Sequence, residues 1–391
     1  MSMKKFTKKM LAIVAAAAMT MGLAMPAFAS EAGETPKKAT DAYISKTYNT
    51  EVGKTFSFSF TATQDKTSEG VITTEHSIKM PVIAFTETEK GSNTKVGKID
   101  FGTFTKAGKY EYTVKEGAVT VKKGAVDSTF TDGDYDKLIM SKAEYKMDVY
   151  VVQDGLNFNI ENIIVNKTKD NGGNTLENPS KVDIGPDSTN NGFRFENTYV
   201  QEAGTGIDPT NPDPEYAKSG SLKVSKEIVT ANREAVDAEK QFEFTATFAF
   251  PTGTDENTLG GVKANETGIT LTGNTYTFKL KHNEGMKFTG LPVGTTISVT
   301  EAATPNYKGS AAVTINGVNA GTATADQYNA VLTVSNKTLG QNKNAVDVTN
   351  TYNNVPTTGI IMNTLPYVLM VALCGVALVA FVASKRRKVQ K

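Results

Sequence analysis

The sequence has almost none of the residues on which most metal and redox sites depend. Its 391 residues include one cysteine, two histidines and no tryptophan. The cysteine, Cys374, lies in an apolar stretch near the C-terminus, and His76 and His282 are far apart in the sequence. A zinc cluster needs more ligands of these types, close together. We therefore expect no bound metal.

The short motifs of common enzyme sites are also missing. The sequence contains no Gly-x-Gly-x-x-Gly, no complete Gly-x-x-x-x-Gly-Lys-Ser/Thr loop and no Gly-x-Ser-x-Gly elbow. The acidic stretch "DGDYD", residues 132–136, lacks the spacing of a known calcium loop, and we interpret it as a solvated turn. A surface enzyme therefore has little support, and we expect no cofactor.

The N-terminus carries the pattern of a secretory signal. Four lysines precede an apolar run from Leu11 to Ala24, and Ala27-Phe28-Ala29 then supplies a small-x-small cleavage site. An N-terminal membrane anchor is the alternative, but the apolar run is short for a span. We predict a signal peptide over residues 1–29, followed by a short extension over residues 30–39.

The C-terminus has three features in a fixed order. Val355-Pro356-Thr357-Thr358-Gly359 is followed by 19 uncharged residues, Leu365 to Ala383, and then by five basic residues. The uncharged stretch nearly crosses a bilayer core, and the basic residues hold the tail on the cytoplasmic side. A plain membrane anchor is one interpretation of residues 355–391.

This tail resembles the (Leu/Val/Ile)-Pro-x-Thr-Gly sorting signal of Gram-positive surface proteins. The resemblance implies that a sortase cuts between Thr358 and Gly359 and joins the Thr358 carbonyl to an amine. The precursor would be anchored in the membrane only transiently. The mature chain would be secreted and attached covalently to the Gram-positive cell wall or to a pilus.

The charge of the mature chain excludes another class of partner. Without residues 1–29 and 359–391 the chain keeps 33 basic and 41 acidic residues, a net charge of −8. An acidic protein is not expected to bind nucleic acid. The single cysteine is lost with the tail, so the mature chain has no disulfide.

Alternating apolar residues indicate β-strands throughout the mature chain. "KTFSFSFTAT" and "KQFEFTATF" each place their phenylalanines on one face. Long helical periodicity is scarce, so we predict an all-β fold with two tandem immunoglobulin-like β-sandwich domains, over residues 40–200 and 221–354. Residues 201–220 contain three prolines and few apolar residues, and we predict a linker there.

The two predicted domains share three polar residues at matching places. A lysine lies in the first strand, a glutamate ends a later strand, and an asparagine lies in a closing Asn-Thr-Tyr. The sets are Lys46, Glu116 and Asn197, and Lys226, Glu301 and Asn350. Because side chains alternate across a strand, each of the six shares a face with apolar neighbours and is expected to point into the core.

Such residues can react with one another. A lysine amine deprotonated by apolar surroundings is a nucleophile, and an asparagine carbonyl is an electrophile. A buried, protonated glutamate can polarise that carbonyl and shuttle protons as ammonia leaves. We predict autocatalytic isopeptide bonds Lys46–Asn197 and Lys226–Asn350. An ordinary buried ion pair beside a satisfied asparagine is the alternative. A third Asn-Thr-Tyr, at Asn274, is interpreted as a hairpin turn without chemistry.

The order Lys, Glu, Asn with a terminal Asn-Thr-Tyr resembles the self-crosslinking immunoglobulin-like domains of Gram-positive pilins. "FTGLPVGTTISVTEAATPNY", residues 288–307, is similar to the collagen-adhesin B-type pattern, and the resemblance is strongest over residues 221–359. It implies a structural pilus subunit whose partners are a class C or housekeeping sortase, other copies of itself or companion pilins, and peptidoglycan. The alternative is a single wall-anchored adhesin or stalk that binds a host or extracellular-matrix ligand.

Three lysines are candidates for the residue that would join one subunit to the next. Fibre-forming pilins often carry it in a Tyr-Pro-Lys-like motif, which this sequence lacks. Lys181, in "ENPSK", is the candidate, with Lys167 and Lys169 as rivals. An ordinary solvated lysine is the alternative for each of them.

Overall fold

The computed structural model describes residues 38–123, 126–231 and 235–353. The predicted signal peptide, the sorting motif Val355–Gly359 and the membrane span with its basic tail lie outside these ranges. Within the ranges, no helix combines the length and the apolar character needed to cross a membrane.

The first half of the described chain is built from strands alone. These strands are β1 (Tyr43–Thr50), β2 (Phe56–Asp65), β3 (Ile83–Phe85), β4 (Gly91–Lys98), β5 (Gly108–Lys123), β6 (Val126–Thr129), β7 (Asp136–Ile139), β8 (Glu144–Asp154), β9 (Asn157–Lys169), β10 (Thr175–Lys181) and β11 (Arg194–Gln201). They form one sheet in the order β4-β1-β11-β7 and a second in the order β10-β9-β8-β5-β2-β3, with β6 beside β5.

The second half begins with a short helix and continues in strands. The elements are α1 (Tyr216–Ser219), β12 (Leu222–Thr230), β13 (Phe242–Ala249), β14 (Lys263–Ala264), β15 (Thr267–Gly268), β16 (Thr275–Leu280), β17 (Gly285–Thr289), β18 (Thr296–Glu301), β19 (Tyr307–Ile315), β20 (Val318–Thr324), β21 (Leu332–Thr338) and β22 (Ala345–Tyr352). Their sheets have the orders β15-β14-β17-β12-β22-β19-β20 and β16-β13-β18-β21.

Aromatic side chains fill the space between the two sheets of each half. Tyr48 of β1 lies 5.6 Å from Phe58 of β2, and Phe248 of β13 lies 5.3 Å from Phe288 of β17, measured between ring centroids. The period of two in the sequence explains these contacts, since successive side chains of a strand point to opposite faces of its sheet. The predicted all-β fold with two tandem sandwiches is confirmed.

In each sandwich the first and last strands are parallel neighbours. Lys46 of β1 aligns with Phe195 of β11, and Tyr48 aligns with Asn197. The same offset recurs between β12 and β22, where Lys226 aligns with Val348 and Ile228 with Asn350. The lysine therefore lies two residues before the partner of the asparagine, on the same face of the sheet, in both halves.

The predicted linker region is folded against the second sandwich. Gln201 to Gly206 are buried, and Glu202 forms a β-bridge with Pro292. The amide of Ala203 donates to the Leu291 carbonyl at 2.9 Å. The described residues from Thr40 to Asn353 form one compact unit that includes this region.

Candidate functional site

The first Lys–Glu–Asn set meets in the core of the first sandwich. Lys46 Nζ lies 2.6 Å from Glu116 Oε1, and the two side chains are 0% and 1% exposed. Asn197 Nδ2 donates to the same carboxylate oxygen at 3.0 Å. The amine and the amide, which belong to neighbouring strands, are therefore both bound to one carboxylate on the facing sheet.

The second set has the same arrangement. Lys226 Nζ lies 2.9 Å from Glu301 Oε1, with side chains 0% and 3% exposed. Asn350 Nδ2 donates to Glu301 Oε1 at 2.8 Å. β18 and the β12–β22 pair position these groups just as β5 and the β1–β11 pair do in the first sandwich.

Burial moves the pKa values of these groups toward their neutral forms. Loss of solvent lowers the pKa of Lys46 and of Lys226 from 10.5 to about 8, despite the opposing effect of the glutamate beside each amine. Burial raises the pKa of Glu116 and of Glu301 above the ordinary value, although the lysine in contact opposes this shift. A neutral amine beside a protonated carboxyl is the pairing that amide formation requires.

Aromatic rings enclose both amines. Lys46 Nζ lies 4.3 Å from the centre of the Phe58 ring, and Lys226 Nζ lies 4.2 Å from that of Phe242. These phenylalanines belong to the Phe-x-Phe segments of β2 and β13. The rings keep water away from the amines, which explains the strong desolvation of both lysines.

The two sites differ at the asparagine carbonyl. Asn197 Oδ1 accepts a hydrogen bond from the Ser141 amide at 2.7 Å, whereas Asn350 Oδ1 is buried without a hydrogen-bond partner in the described residues. An amide donor at this oxygen would stabilise the negative charge that develops there when an amine attacks the carbonyl carbon. Ser141 escaped the sequence analysis because a backbone amide leaves no signal in residue type.

Gly309 of β19 is a second residue that the sequence analysis did not identify. It aligns with Asn350, and a β-carbon at this position would lie 3.0 Å from both Asn350 Oδ1 and Glu301 Oε2. Only a residue without a side chain leaves both groups where they are. The close approach of backbone to side chains is a known reason for glycine within a strand.

We expect Gly309→Ala to lower the fraction of chains that join Lys226 to Asn350, because the new methyl group displaces the reacting side chains. The intact mass of the purified protein would report this fraction. Gly268→Ala, at a glycine of β15 with open space around its α-carbon and no positive φ, is a control for backbone effects. An unchanged fraction in Gly309→Ala would show that the close contact does not matter.

The third Asn-Thr-Tyr forms a turn, as predicted. Thr272 and Thr275 exchange both backbone hydrogen bonds, at 3.0 and 3.1 Å. Between them Gly273 has a φ of 59° and Asn274 a φ of 64°. Two successive positive φ values define a tight hairpin turn of type I′. Asn274 is exposed, far from the environment of Asn197 and Asn350.

The acidic stretch at residues 132–136 is only partly a solvated turn. Asp136 is buried, and its Oδ2 accepts hydrogen bonds from Lys54 Nζ and from the Tyr199 hydroxyl, both at 2.8 Å. The interpretation as a solvated turn is therefore wrong for Asp136. The buried aspartate is stabilised by two donors that are distant in the sequence, one from the loop before β2 and one from β11, which the local sequence cannot reveal.

The three candidate joining lysines have different surroundings. Lys169 forms an ion pair with Glu144 at 2.7 Å, and Lys167 Nζ lies 5.9 Å from the centre of the Tyr145 ring. Both side chains are half-buried, whereas Lys181 is exposed at the end of the edge strand β10. Of the three, Lys181 is the most accessible to an enzyme.

Comparison with known proteins gives one family match and several structural matches. A family model described as a domain of unknown function, DUF7601, matches residues 220–352, which cover the second sandwich. No curated protein matches the chain.

Three solved structures illustrate the structural matches. A major pilin, T3.2, from Streptococcus pyogenes is 20% identical, with 81% of this chain and 99% of that chain covered and a TM-score of 0.31. Another structure of the major pilin from Streptococcus pyogenes is 20% identical, with 80% and 99% covered and a TM-score of 0.33. A pilus-presented adhesin is 12% identical, with 80% and 99% covered and a TM-score of 0.25. Because these TM-scores are low, no property of these proteins is transferred to the chain.

Proposed function

We propose that the chain is a structural subunit of a Gram-positive surface pilus, with an isopeptide bond inside each sandwich. One observation carries this proposal: the same Lys–Glu–Asn arrangement, in the same strand register, recurs in both halves. Burying an ionisable pair without a role is costly, and a repeated placement between first and last strands favours a shared chemistry over two unrelated ion pairs.

The proposed reaction joins lysine Nζ to asparagine Cγ. The neutral amine attacks the amide carbon, a C–N bond forms, and the bond from Cγ to Nδ2 breaks. The glutamate, in contact with both nitrogens, takes a proton from the attacking amine and delivers one to the departing nitrogen, which leaves as ammonia. Glu116 and Glu301 would each act once, on their own chain, so the protein is not an enzyme toward other molecules.

The position of the bonds explains their value to a fibre. The first and last strands of each sandwich lie side by side, and tension along the fibre loads β11 in the first sandwich and both β12 and β22 in the second. A covalent link between them prevents their separation. Unlike a disulfide, an amide bond resists reduction, which suits a protein whose mature chain has no cysteine.

Assembly follows from the sorting motif. A sortase would cut after Thr358 and transfer it to Lys181 of another copy or of a companion pilin, and finally to peptidoglycan. The exposure of Lys181 supports its role as acceptor, and the net negative charge of the mature chain favours solubility outside the cell. A host or matrix ligand would be a partner of the assembled fibre.

The decisive experiment is the intact mass of the mature chain, Ser30 to Thr358. Two isopeptide bonds lower the mass by about 34 Da, or about 17 Da for each ammonia lost. A mass equal to that of the sequence would exclude both bonds. A loss of about 17 Da would leave a single bond, which peptide mapping would assign to one sandwich.

A further inference from the structure

The segment between the two sandwiches is a folded loop whose ends are held together. Glu202 precedes it and Ser221 follows it, and the Ser221 hydroxyl donates to Glu202 Oε1 at 2.7 Å. At the same point Gly204 has a φ of 83°, and a β-carbon there would lie 2.3 Å from the Gly220 carbonyl oxygen. The two ends of the 18-residue loop 203–220 are therefore adjacent.

Glu202 is the centre of this closure. The same Oε1 also accepts hydrogen bonds from the Tyr216 hydroxyl and the Gly290 amide, both at 2.6 Å. Glu202 is 4% exposed, and no ion pair joins it to a basic side chain in the part of the chain that the structure describes. A buried carboxylate without a countercharge is stabilised by its hydrogen bonds. Loss of these donors makes its burial unfavourable, so the carboxylate moves into solvent.

A few backbone hydrogen bonds complete the attachment. The Gly204 amide donates to the Gly340 carbonyl at 3.1 Å, and the Gly206 amide donates to the Gln341 carbonyl at 2.7 Å. These contacts attach the loop to the second sandwich. They are single hydrogen bonds, in contrast to the continuous ladders that join the strands within each sandwich.

The proposed crosslinks carry tension past the folded strands of each sandwich. No crosslink spans the loop, so its main chain bears the tension directly. In a chain pulled at its two ends, tension passes from β1 through Lys46 to Asn197, and from Lys226 through Asn350 to the end of β22. In the fibre, tension that enters at Lys181 reaches Asn197 along the main chain and then crosses the same loop. Between Asn197 and Lys226 the main chain is the covalent connection between the sandwiches. Residues 198–201 and 222–225 lie in strands, so the loop is the segment that can lengthen.

We propose that residues 203–220 are an extensible loop, which unfolds under tension and lengthens the chain while both sandwiches stay folded. This inference rests on the proposed crosslinks. Because the ends of the loop lie together, nearly all of its contour length is gained on opening, about 60 Å for 18 residues. The fibre would then extend under sudden load and shorten again when the Glu202 contacts re-form.

Single-molecule force spectroscopy tests the proposal on the mature chain, Ser30 to Thr358, with one cysteine added at each end for attachment. The native mature sequence has no cysteine, so both attachments are unique. We expect the contour length of the chain to increase in a single reversible step of about 60 Å, with no larger step. Absence of this increment up to rupture of the attachments would overturn the proposal.

Two conservative variants locate the contact that opens. Tyr216→Phe removes one hydroxyl donor from Glu202 and is expected to shift the release to lower force. Tyr135→Phe is the matched control, since its ring packs 5.1 Å from the Tyr216 ring while its hydroxyl does not bond Glu202. Equal release forces in both variants and the wild type would contradict the assignment to Glu202.

The same recording separates this inference from the crosslinks. In Lys226→Ala the second sandwich has no covalent tie, so an increment of several hundred ångströms should appear beside the short one. A large increment in the wild-type chain would contradict the crosslinks. The presence or absence of the short increment is scored independently in every variant.

Discussion

Replacing Glu301 with alanine is expected to leave Lys226 and Asn350 unjoined and to lower the stability of the second sandwich severely. Glu301 Oε1 contacts both reacting nitrogens. Without it no proton reaches Asn350 Nδ2, the nitrogen that leaves as ammonia. The bond closes a loop of more than a hundred residues, and its loss costs about 4–5 kcal/mol in the chain-entropy model. Intact mass and denaturant unfolding measure the two effects.

Two further variants make this result specific. Glu301→Gln keeps the shape of the side chain and cannot donate the proton, so it should also show the uncrosslinked mass. Glu243→Ala removes an exposed glutamate from the outer face of the same sheet and should keep the crosslinked mass. A crosslinked Glu301→Gln protein would refute the role of the carboxyl in proton transfer.

Replacing Lys181 with alanine is expected to abolish covalent polymers while leaving the subunit folded. Lys181 is exposed on an edge strand, outside the core of the sandwich, and its amine is the proposed acceptor of Thr358. Wall extracts of cells that express the chain with a class C sortase should show a high-molecular-weight ladder, and the variant should show monomer only.

Lys169→Ala is the control for this experiment. It removes a nearby lysine that is engaged with Glu144, so the ladder should persist. A ladder that survives Lys181→Ala would assign the joint to another lysine. The wild-type chain would show no ladder if it were a single wall-anchored adhesin.

The sequence allowed the orientation of the six reacting side chains to be predicted, but not all of their contacts. Glu301 shares a strand face with Val299, and Asn350 shares one with Val348. The period of two therefore predicts that both side chains point into the core. Ser141 contributes a backbone amide, and Gly309 leaves space for the reacting side chains. Neither property has a sequence motif, because each depends on strands that are distant in the sequence and adjacent in the fold.

The loop between the sandwiches shows where sequence reasoning is weakest. Its prolines and polar residues are typical of an extended linker, and composition carries no sign that Glu202 is buried. The donors to Glu202 come from Tyr216, Ser221 and Gly290, the last of which is 88 residues away. Burial of a polar residue by such partners is a property of the tertiary structure.

The sequence by itself determined the all-β class and the inward orientation of Lys46, Glu116 and Asn197 with their counterparts. Both follow from the period of two, which relates residues only two positions apart. Only the tertiary structure placed β1 beside β11 and β12 beside β22, because strand order depends on how whole sheets pack. The meeting of an amine, a carboxyl and an amide from three distant strands is a consequence of that packing.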